Sequence, residues 1–182
     1  MNKSKKILFL VLILLFLCVI INPLMRVVYP LRYYDIIESN AEKYDLDKFV
    51  VMGIIKAESN YIHDARSHVA YGLMQVTEDT ASDIADKLKI DVTVSDLDDP
   101  ELNIEMGCCY LNFLYKYYGD MDLALAAYNG GMGNVNKWLN NDMYSRDGEN
   151  LHDIPFPETK QYVKKVNRYA GIYRRLYSDK II

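Results

Sequence analysis

The stretch IIKAESNYIHDARSHVAYGLMQVT, residues 54–77, connects two segments that both have the pattern of a helix. Its first residues end an apolar run that begins at Phe49, and Thr77 precedes a new run with helical spacing. Glu58 lies where the first apolar run stops, and Gly72-Leu73-Met74-Gln75 lies before the second. The pattern therefore predicts a carboxyl group at the C-terminal end of a helix, followed by a polar loop and a tight turn.

The position of Glu58 favours a protonated carboxyl group. The C-terminal end of a helix carries partial negative charge, which disfavours a second negative charge. Burial beside Ile54, Ile55 and Ala57 would disfavour the ionised form further and raise the pKa. A carboxylic acid that keeps its proton near neutral pH is suited to general acid catalysis. The alternative is an exposed surface glutamate at a frayed helix end.

The remaining sequence predicts an all-α domain of about seven helices over roughly residues 33–178. Asp47 and Thr77 are expected N-caps, since short polar side chains accept hydrogen bonds from the first backbone amides of a helix. Pro100 and Gly119 are expected to bound the longest helix. The only strand-like segment, IDVTVSDLDDP, is rich in acids and is predicted to be a loop or a short ribbon.

The N-terminus predicts a membrane anchor. Three lysines precede residues 7–21, which contain no polar side chain apart from one cysteine and would form a helix of about 22 Å, extendable to residue 28. A signal peptide is the rival interpretation, but no small-x-small cleavage site follows. We expect residues 1–30 to be a short basic cytoplasmic end plus an uncleaved transmembrane helix, with residues 31–182 as an extracytoplasmic catalytic domain.

The charge distribution argues against nucleic acid as a partner. Four of the 21 basic residues lie in residues 1–30, which hold no acid, so 17 basic residues face 25 acidic ones in the remainder. Nucleic-acid binding requires a basic surface. The three histidines and three cysteines lack the spacing of a zinc site, and we expect neither a metal nor another cofactor.

Two further segments carry polar groups suited to a sugar-binding groove. Met74 and Gln75 combine apolar area, which can meet a sugar ring, with an amide that can bond hydroxyl or acetamido groups. Tyr128 and Asn129 precede two glycines at the end of a short Ala-rich helix. Core packing and a helix C-cap are the alternative explanations for these two segments.

Taken in order, four segments resemble those of the lytic transglycosylases of the soluble-transglycosylase (SLT) type. They are ES (58–59), GLMQ (72–75), AYNGG (127–131) and IPFPETKQYV (154–163), within a resemblance that spans about residues 33–175. Members of that family have an α-helical fold similar to goose-type lysozyme and cleave bacterial peptidoglycan. The resemblance therefore implies a lysozyme-like fold and glycan strands of peptidoglycan as the substrate.

The resemblance also implies a catalytic residue and a set of substrate-binding residues. Glu58 would be the single acid/base. The residues that would contact substrate or position Glu58 are Ser59, Met74, Gln75, Tyr128, Asn129, Glu158 and Tyr162. Glu158 is also expected to suit the first turn of its helix, where the helix dipole favours an acid.

The implied reaction is non-hydrolytic. Glu58 would protonate the oxygen between N-acetylmuramic acid and N-acetylglucosamine and then accept the proton of the muramoyl C6 hydroxyl, leaving a 1,6-anhydromuramoyl end. A hydrolytic muramidase stays an alternative, because Asp64 follows Glu58 closely and glycosidases commonly use two carboxylates. A non-catalytic wall-binding module is the other alternative. Wall-spanning machinery is a further candidate partner.

Overall fold

The computed structural model describes residues 23–178 without a gap, together with residues 7, 9, 12, 16, 20 and 21. Most of the predicted membrane anchor, residues 7–21, lies outside the described residues. Among the residues that are described, no helix combines the length and the apolar character needed to cross a membrane.

Residues 34–177 fold into seven α-helices, in agreement with the all-α prediction. In chain order they are α1 (Tyr34–Lys43), α2 (Lys48–Glu58), α3 (Glu78–Leu88), α4 (Pro100–Tyr118), α5 (Met121–Gly130), α6 (Met132–Leu139) and α7 (Pro157–Tyr177). A two-stranded antiparallel hairpin, β1 (Ala70–Tyr71) and β2 (Val76–Thr77), precedes α3. The hairpin holds the turn that follows the polar loop after Glu58.

The helix ends form where the local sequence predicts them. The Asp47 carboxylate accepts a hydrogen bond from the Phe49 backbone amide at 2.8 Å, and the Thr77 hydroxyl accepts one from Thr80 at 3.2 Å. Pro100 begins α4, and Gly119 ends it in the left-handed conformation, although α7 with 21 residues, and not α4 with 19, is the longest of the seven helices. These caps supply partners for backbone groups that a helix end leaves unpaired.

The acid-rich segment before Pro100 contains a 3-10 helix, Val94–Asp98, where a loop or ribbon was expected. The Thr93 backbone amide donates to the Asp96 carboxylate at 2.8 Å, which closes a capping box around the first turn. Asp96, one of the acids that disfavour a strand in this segment, therefore helps to cap a short helix. Leu97, the buried residue of this turn, packs into the core.

The most extensive helix packing joins α2 to α7. Gly53 permits it, because a Cβ atom at this position would lie 2.8 Å from the backbone oxygen of Val166. Close approach of the two backbones holds the C-terminal end of α2 against the N-terminal half of α7. Glu58, the last residue of α2, is thereby fixed beside side chains of α7.

A buried asparagine holds the turn between β1 and β2. The Asn103 amide nitrogen donates to the carbonyls of Tyr71 and Leu97, both at 2.9 Å, and its oxygen accepts from the Met74 amide at 2.8 Å. Gly72 has a φ of +75°, and a Cβ there would lie 2.2 Å from the Asn103 side chain. The glycine of the GLMQ segment is therefore required by both backbone conformation and space.

Candidate active site

An open cleft of about 460 Å³ lies where the ends of three helices meet. The C-terminal ends of α2 and α5 and the first three turns of α7 form its walls. Its lining residues are Ala57, Glu58, Asn129, Glu158, Gln161, Tyr162 and Lys165. Of the eight site residues predicted from the sequence, four line this cleft: Glu58, Asn129, Glu158 and Tyr162.

Glu58 is the partly buried carboxyl group of the cleft. Burial raises its pKa from the ordinary value to about 7, and the neighbouring Tyr162 hydroxyl and Lys165 ammonium group oppose part of this rise. A pKa near neutrality leaves a large fraction of the carboxyl groups protonated at pH 7. Glu58 can therefore both donate a proton and, once ionised, accept one.

Tyr162 is buried and faces Glu58 from α7. Its hydroxyl has no partner at full hydrogen-bonding geometry within the described part of the chain, although it lies near enough to lower the pKa of Glu58. Burial and the Glu58 charge raise the pKa of Tyr162 far above its ordinary value, so the hydroxyl keeps its proton. A buried donor without a fixed partner is available to the carboxylate or to a bound ligand.

Tyr128 lies near Glu58 but donates its hydrogen bond elsewhere. Its hydroxyl donates to the backbone carbonyl of Met74 at 2.8 Å, and its ring packs on Tyr110 with centroids 5.5 Å apart. Burial first, and the charge of Glu58 second, raise the pKa of Tyr128. In this arrangement Tyr128 connects α5 to the turn after β1 and does not line the cleft.

Met74 and Ser59 differ from the sequence-based expectation. The Met74 side chain has no exposed surface and fills the space left by Gly107, where an added Cβ would lie 2.4 Å from its sulfur. The Ser59 hydroxyl is buried, donates to the Ile55 carbonyl at 3.1 Å and accepts from the Tyr61 amide at 3.2 Å. Both side chains stabilise the framework and do not line the cleft.

Gln75 braces the turn that it belongs to. Its side-chain nitrogen donates to the carbonyls of Ala65 and Gly72, each at 3.0 Å, and its own φ is +50°. Both donor hydrogens are thus used within the loop. Gln75 does not line the cleft.

Lys165 is a site residue that the sequence analysis missed. Its ammonium group donates to the Ala57 carbonyl at 3.0 Å, at the C-terminal end of α2, and its positive charge lowers the pKa of Glu58. Lys165 belongs to a run of basic residues on α7, a pattern that is typical of a solvated helix face. The available signal was helical spacing, because Lys165 lies three and seven residues after Tyr162 and Glu158.

Asp64, the candidate second carboxylate, lies outside the cleft. It is exposed in the loop before β1 and is absent from the cleft lining. Among the described residues, the carboxyl groups that line the cleft are those of Glu58 and Glu158. Glu158 is exposed in the first turn of α7.

Sequence comparison identifies related proteins over most of the chain. The sequence profile of the Transglycosylase SLT domain matches residues 35–151. The soluble lytic murein transglycosylase of Escherichia coli K12 is 35% identical over 157 residues, covering 84% of this chain and 24% of the relative. Membrane-bound lytic murein transglycosylase C of Sodalis glossinidius is 30% identical, covering 79% of this chain and 47% of the relative.

Solved structures give the same relationship. The 70 kDa soluble lytic transglycosylase of Escherichia coli superposes with a TM-score of 0.74 at 31% identity, covering 83% of this chain and 25% of that chain. The lytic transglycosylase Slt of Pseudomonas aeruginosa gives a TM-score of 0.73 at 32% identity, with the same coverage. The chain thus spans about a quarter of the length of these two relatives. Its profile match and its fold show that the chain belongs to the Transglycosylase SLT domain family.

Proposed function

We propose that this chain is a peptidoglycan lytic transglycosylase that cleaves the β-1,4 bond between N-acetylmuramic acid and N-acetylglucosamine. The observation that carries the proposal is Glu58, a carboxyl group held at a helix C-terminus in an open cleft with a pKa of about 7. Relatives named lytic murein transglycosylases support the same reaction class.

In the proposed reaction one carboxyl group performs both proton transfers. Glu58 gives its proton to the glycosidic oxygen as the bond from that oxygen to muramoyl C1 breaks, and N-acetylglucosamine leaves with a new hydroxyl. The C6 hydroxyl oxygen of the same muramoyl residue then bonds to C1 and releases its proton to Glu58. The product is a 1,6-anhydromuramoyl end, the enzyme regains its proton, and no water is consumed.

The neighbours of Glu58 suit this cycle. Lys165 stabilises the ionised form that exists between the two proton transfers, because an adjacent cation favours a carboxylate. The Tyr162 hydroxyl supplies a donor for the carboxylate or for the departing oxygen. Asn129 and Glu158, both exposed in the cleft, present polar groups to the hydroxyl and acetamido groups of a bound glycan. Met74, Gln75, Ser59 and Tyr128 act through the framework.

We further propose that residues 1–30 anchor the chain in the membrane and that residues 31–182 act outside the cytoplasm. The uninterrupted apolar run at residues 7–21 and the preceding lysines support this topology. A relative named membrane-bound agrees with a membrane location. The biological purpose would be local opening of the cell wall close to the membrane.

The identity of the product tests the proposal. Purified peptidoglycan is digested with the 182-residue chain in detergent, and the released muropeptides are weighed by mass spectrometry. Anhydro ends, lighter by one water than reducing ends, are the expected result. Glu58→Gln, which keeps shape and hydrogen bonding but cannot donate the proton, is the matched control and should release almost nothing.

The same measurement decides between the lyase and a muramidase on this fold. The observation that supports the muramidase alternative is Glu158, a second carboxylate that lines the same cleft. Products that carry the added water would establish hydrolysis and overturn the lyase proposal. Release by wild type and by Glu58→Gln that does not exceed that of a protein-free sample would instead indicate a wall-binding module without activity of its own.

A further inference from the structure

A second cavity adjoins the proposed active site on the outer face of α7. Its volume is about 340 Å³, and its lining residues are Gln161, Lys164, Lys165 and Arg168. Gln161 and Lys165 also line the cleft that contains Glu58, so the two cavities share a wall. We name the four residues the basic ledge.

Within the described part of the chain, no residue of the basic ledge forms an ion pair with a carboxylate, although Lys165 lies close enough to Glu58 to lower its pKa. The ion pairs found there are Lys43–Glu105, Lys48–Glu38, Arg66–Asp98, Lys160–Asp153 and Arg174–Asp47. Lys164 and Arg168 are exposed, and the Arg168 guanidinium lies over the ring of Tyr169 at 5.2 Å. Three neighbouring cations are thus concentrated in a chain that has an excess of acids.

We propose that the basic ledge binds carboxylate groups of the peptide stem that the muramoyl residue carries. This inference rests on the proposed function, because it assumes a muramoyl residue in the adjoining cleft. The stem is attached to the lactyl group of that sugar and carries free carboxylates along its length and at its end. A guanidinium and an ammonium group on neighbouring turns of one helix match such groups in charge and hydrogen-bonding geometry.

The position of the ledge determines which substrates it would favour. Since Lys165 belongs to both cavities, an anion on the ledge lies next to the wall that holds Glu58. Glycan strands with stems would therefore bind more tightly than strands without them, while the chemical step at Glu58 would be the same. The expected signature is a change in KM with little change in kcat.

The variant Lys164→Gln/Arg168→Gln tests the ledge without changing a residue that lines the catalytic cleft. On stem-bearing peptidoglycan its KM should rise roughly three- to tenfold, since exposed charge contacts are individually weak, and the increase should shrink at high salt. On strands whose stems an amidase has removed, the variant and wild type should have equal KM values. Lys137→Gln/Arg175→Gln is the matched control, with the same charge change at exposed positions elsewhere.

Three outcomes would overturn the inference. An unchanged KM on stem-bearing strands would show that the ledge does not contact the substrate. An equal loss on stripped strands would show a contact to the sugar backbone instead. Loss of the difference after hydrofluoric acid has removed phosphate-linked wall polymers would assign the ledge to phosphate rather than to stem carboxylates.

A binding measurement separates this inference from the proposed function. Calorimetry with Glu58→Gln and a soluble disaccharide tetrapeptide detects the stem contact in the absence of cleavage. The ledge substitutions added to Glu58→Gln should weaken this binding by a similar factor, and the control substitutions should not. If the wild type is inactive but binds the stem through the ledge, the transglycosylase proposal is refuted and the inference about the basic ledge is supported. If the wild type is active but the ledge substitutions do not change binding, only the inference about the basic ledge is refuted.

Discussion

Two carboxyl groups line one cleft from opposite kinds of helix end. Glu58 is the last residue of α2, where the helix dipole disfavours a negative charge, and it is partly buried against α7. Glu158 lies in the first turn of α7, where the dipole favours a negative charge, and it is exposed. Burial raises the pKa of the Glu58 carboxyl group to about 7. Burial at the C-terminal end of a helix therefore lets Glu58 carry a proton near neutral pH.

The sharpest test of this difference is substitution of each acid by its amide. Glu58→Gln should lower the rate of peptidoglycan cleavage by roughly a thousandfold or more, because the amide cannot supply the proton. Glu158→Gln should keep about a tenth or more of the activity, since it changes an exposed contact. Turbidity loss of a peptidoglycan suspension measures both. If both substitutions abolished activity to the same extent, the proposed difference between Glu58 and Glu158 would be wrong, and a mechanism with two carboxylates would be indicated.

The free energy of unfolding should depend on pH through Glu58. Its pKa is higher in the folded chain than its ordinary value of 4.5, so its favourable contribution is complete below pH 4.5 and is lost as the pH rises towards 7. Relative to wild type, Glu58→Gln should therefore gain about 2 kcal/mol between pH 5 and pH 8. Urea unfolding followed by the fluorescence of Trp138, the single tryptophan, measures this change.

Glu158→Gln serves as the control for the unfolding experiment. Its side chain is exposed, so its stability relative to wild type should vary by less than about 0.5 kcal/mol over the same pH range. A constant difference between Glu58→Gln and wild type at both pH values would show that Glu58 is not buried in the folded chain as described.

Lys165, on α7, should lower the pKa of Glu58, at the end of α2. Removing its charge in Lys165→Met should raise the pKa of Glu58, because the ammonium group favours the carboxylate. The alkaline limb of the profile of kcat/KM against pH would then shift to higher pH by up to about one unit. A ¹³C NMR titration of the Glu58 carboxyl group reports the same change directly.

Two variants sharpen the Lys165 measurement. Lys165→Arg keeps the charge and should keep the profile close to that of wild type. Lys164→Met removes the same charge from the adjacent, exposed position and should leave the Glu58 titration nearly unmoved. A shift of equal size in Lys164→Met would mean that the net charge of the helix, rather than the Lys165 contact, sets the pKa.

Tyr162→Phe should have only a small effect on stability. The Tyr162 hydroxyl is buried without a partner at full hydrogen-bonding geometry in the described structure, so its removal sacrifices no established bond. We expect the free energy of unfolding to change by less than about 1 kcal/mol, while the pKa of Glu58 rises. A large loss of stability would show that the hydroxyl is firmly bonded in solution.

Features decided within one helical turn were predictable from the sequence. Asp47, Thr77 and Gly119 occupy helix ends as expected, because a cap depends on residues only two or three positions away. Glu58 was found by the same local reasoning, and its raised pKa follows from its position and apolar surroundings.

Features decided by distant contacts were not predictable. Met74 is buried because Gly107 of α4 leaves room for its sulfur, and nothing in the GLMQ segment indicates that. Lys165 looks like any other member of a basic helix until α2 packs against α7 and brings the Ala57 carbonyl within 3.0 Å. The polar lining of the cleft therefore depends on tertiary contacts that helical patterns do not encode.

The segment before α1 is fastened to the domain. The Tyr177 hydroxyl donates to the Tyr29 carbonyl at 2.7 Å, and the Lys56 ammonium group donates to the Val28 carbonyl at 2.6 Å. In the proposed anchored enzyme these bonds would hold the cleft at a nearly fixed distance from the bilayer. A flexible linker would instead allow a range of distances that grows with its length. The effective concentration of the catalytic cleft would therefore be high in a thin layer of the cell wall next to the membrane and negligible farther out. Releasing Val28 and Tyr29 from the domain would widen that layer without altering the chemistry.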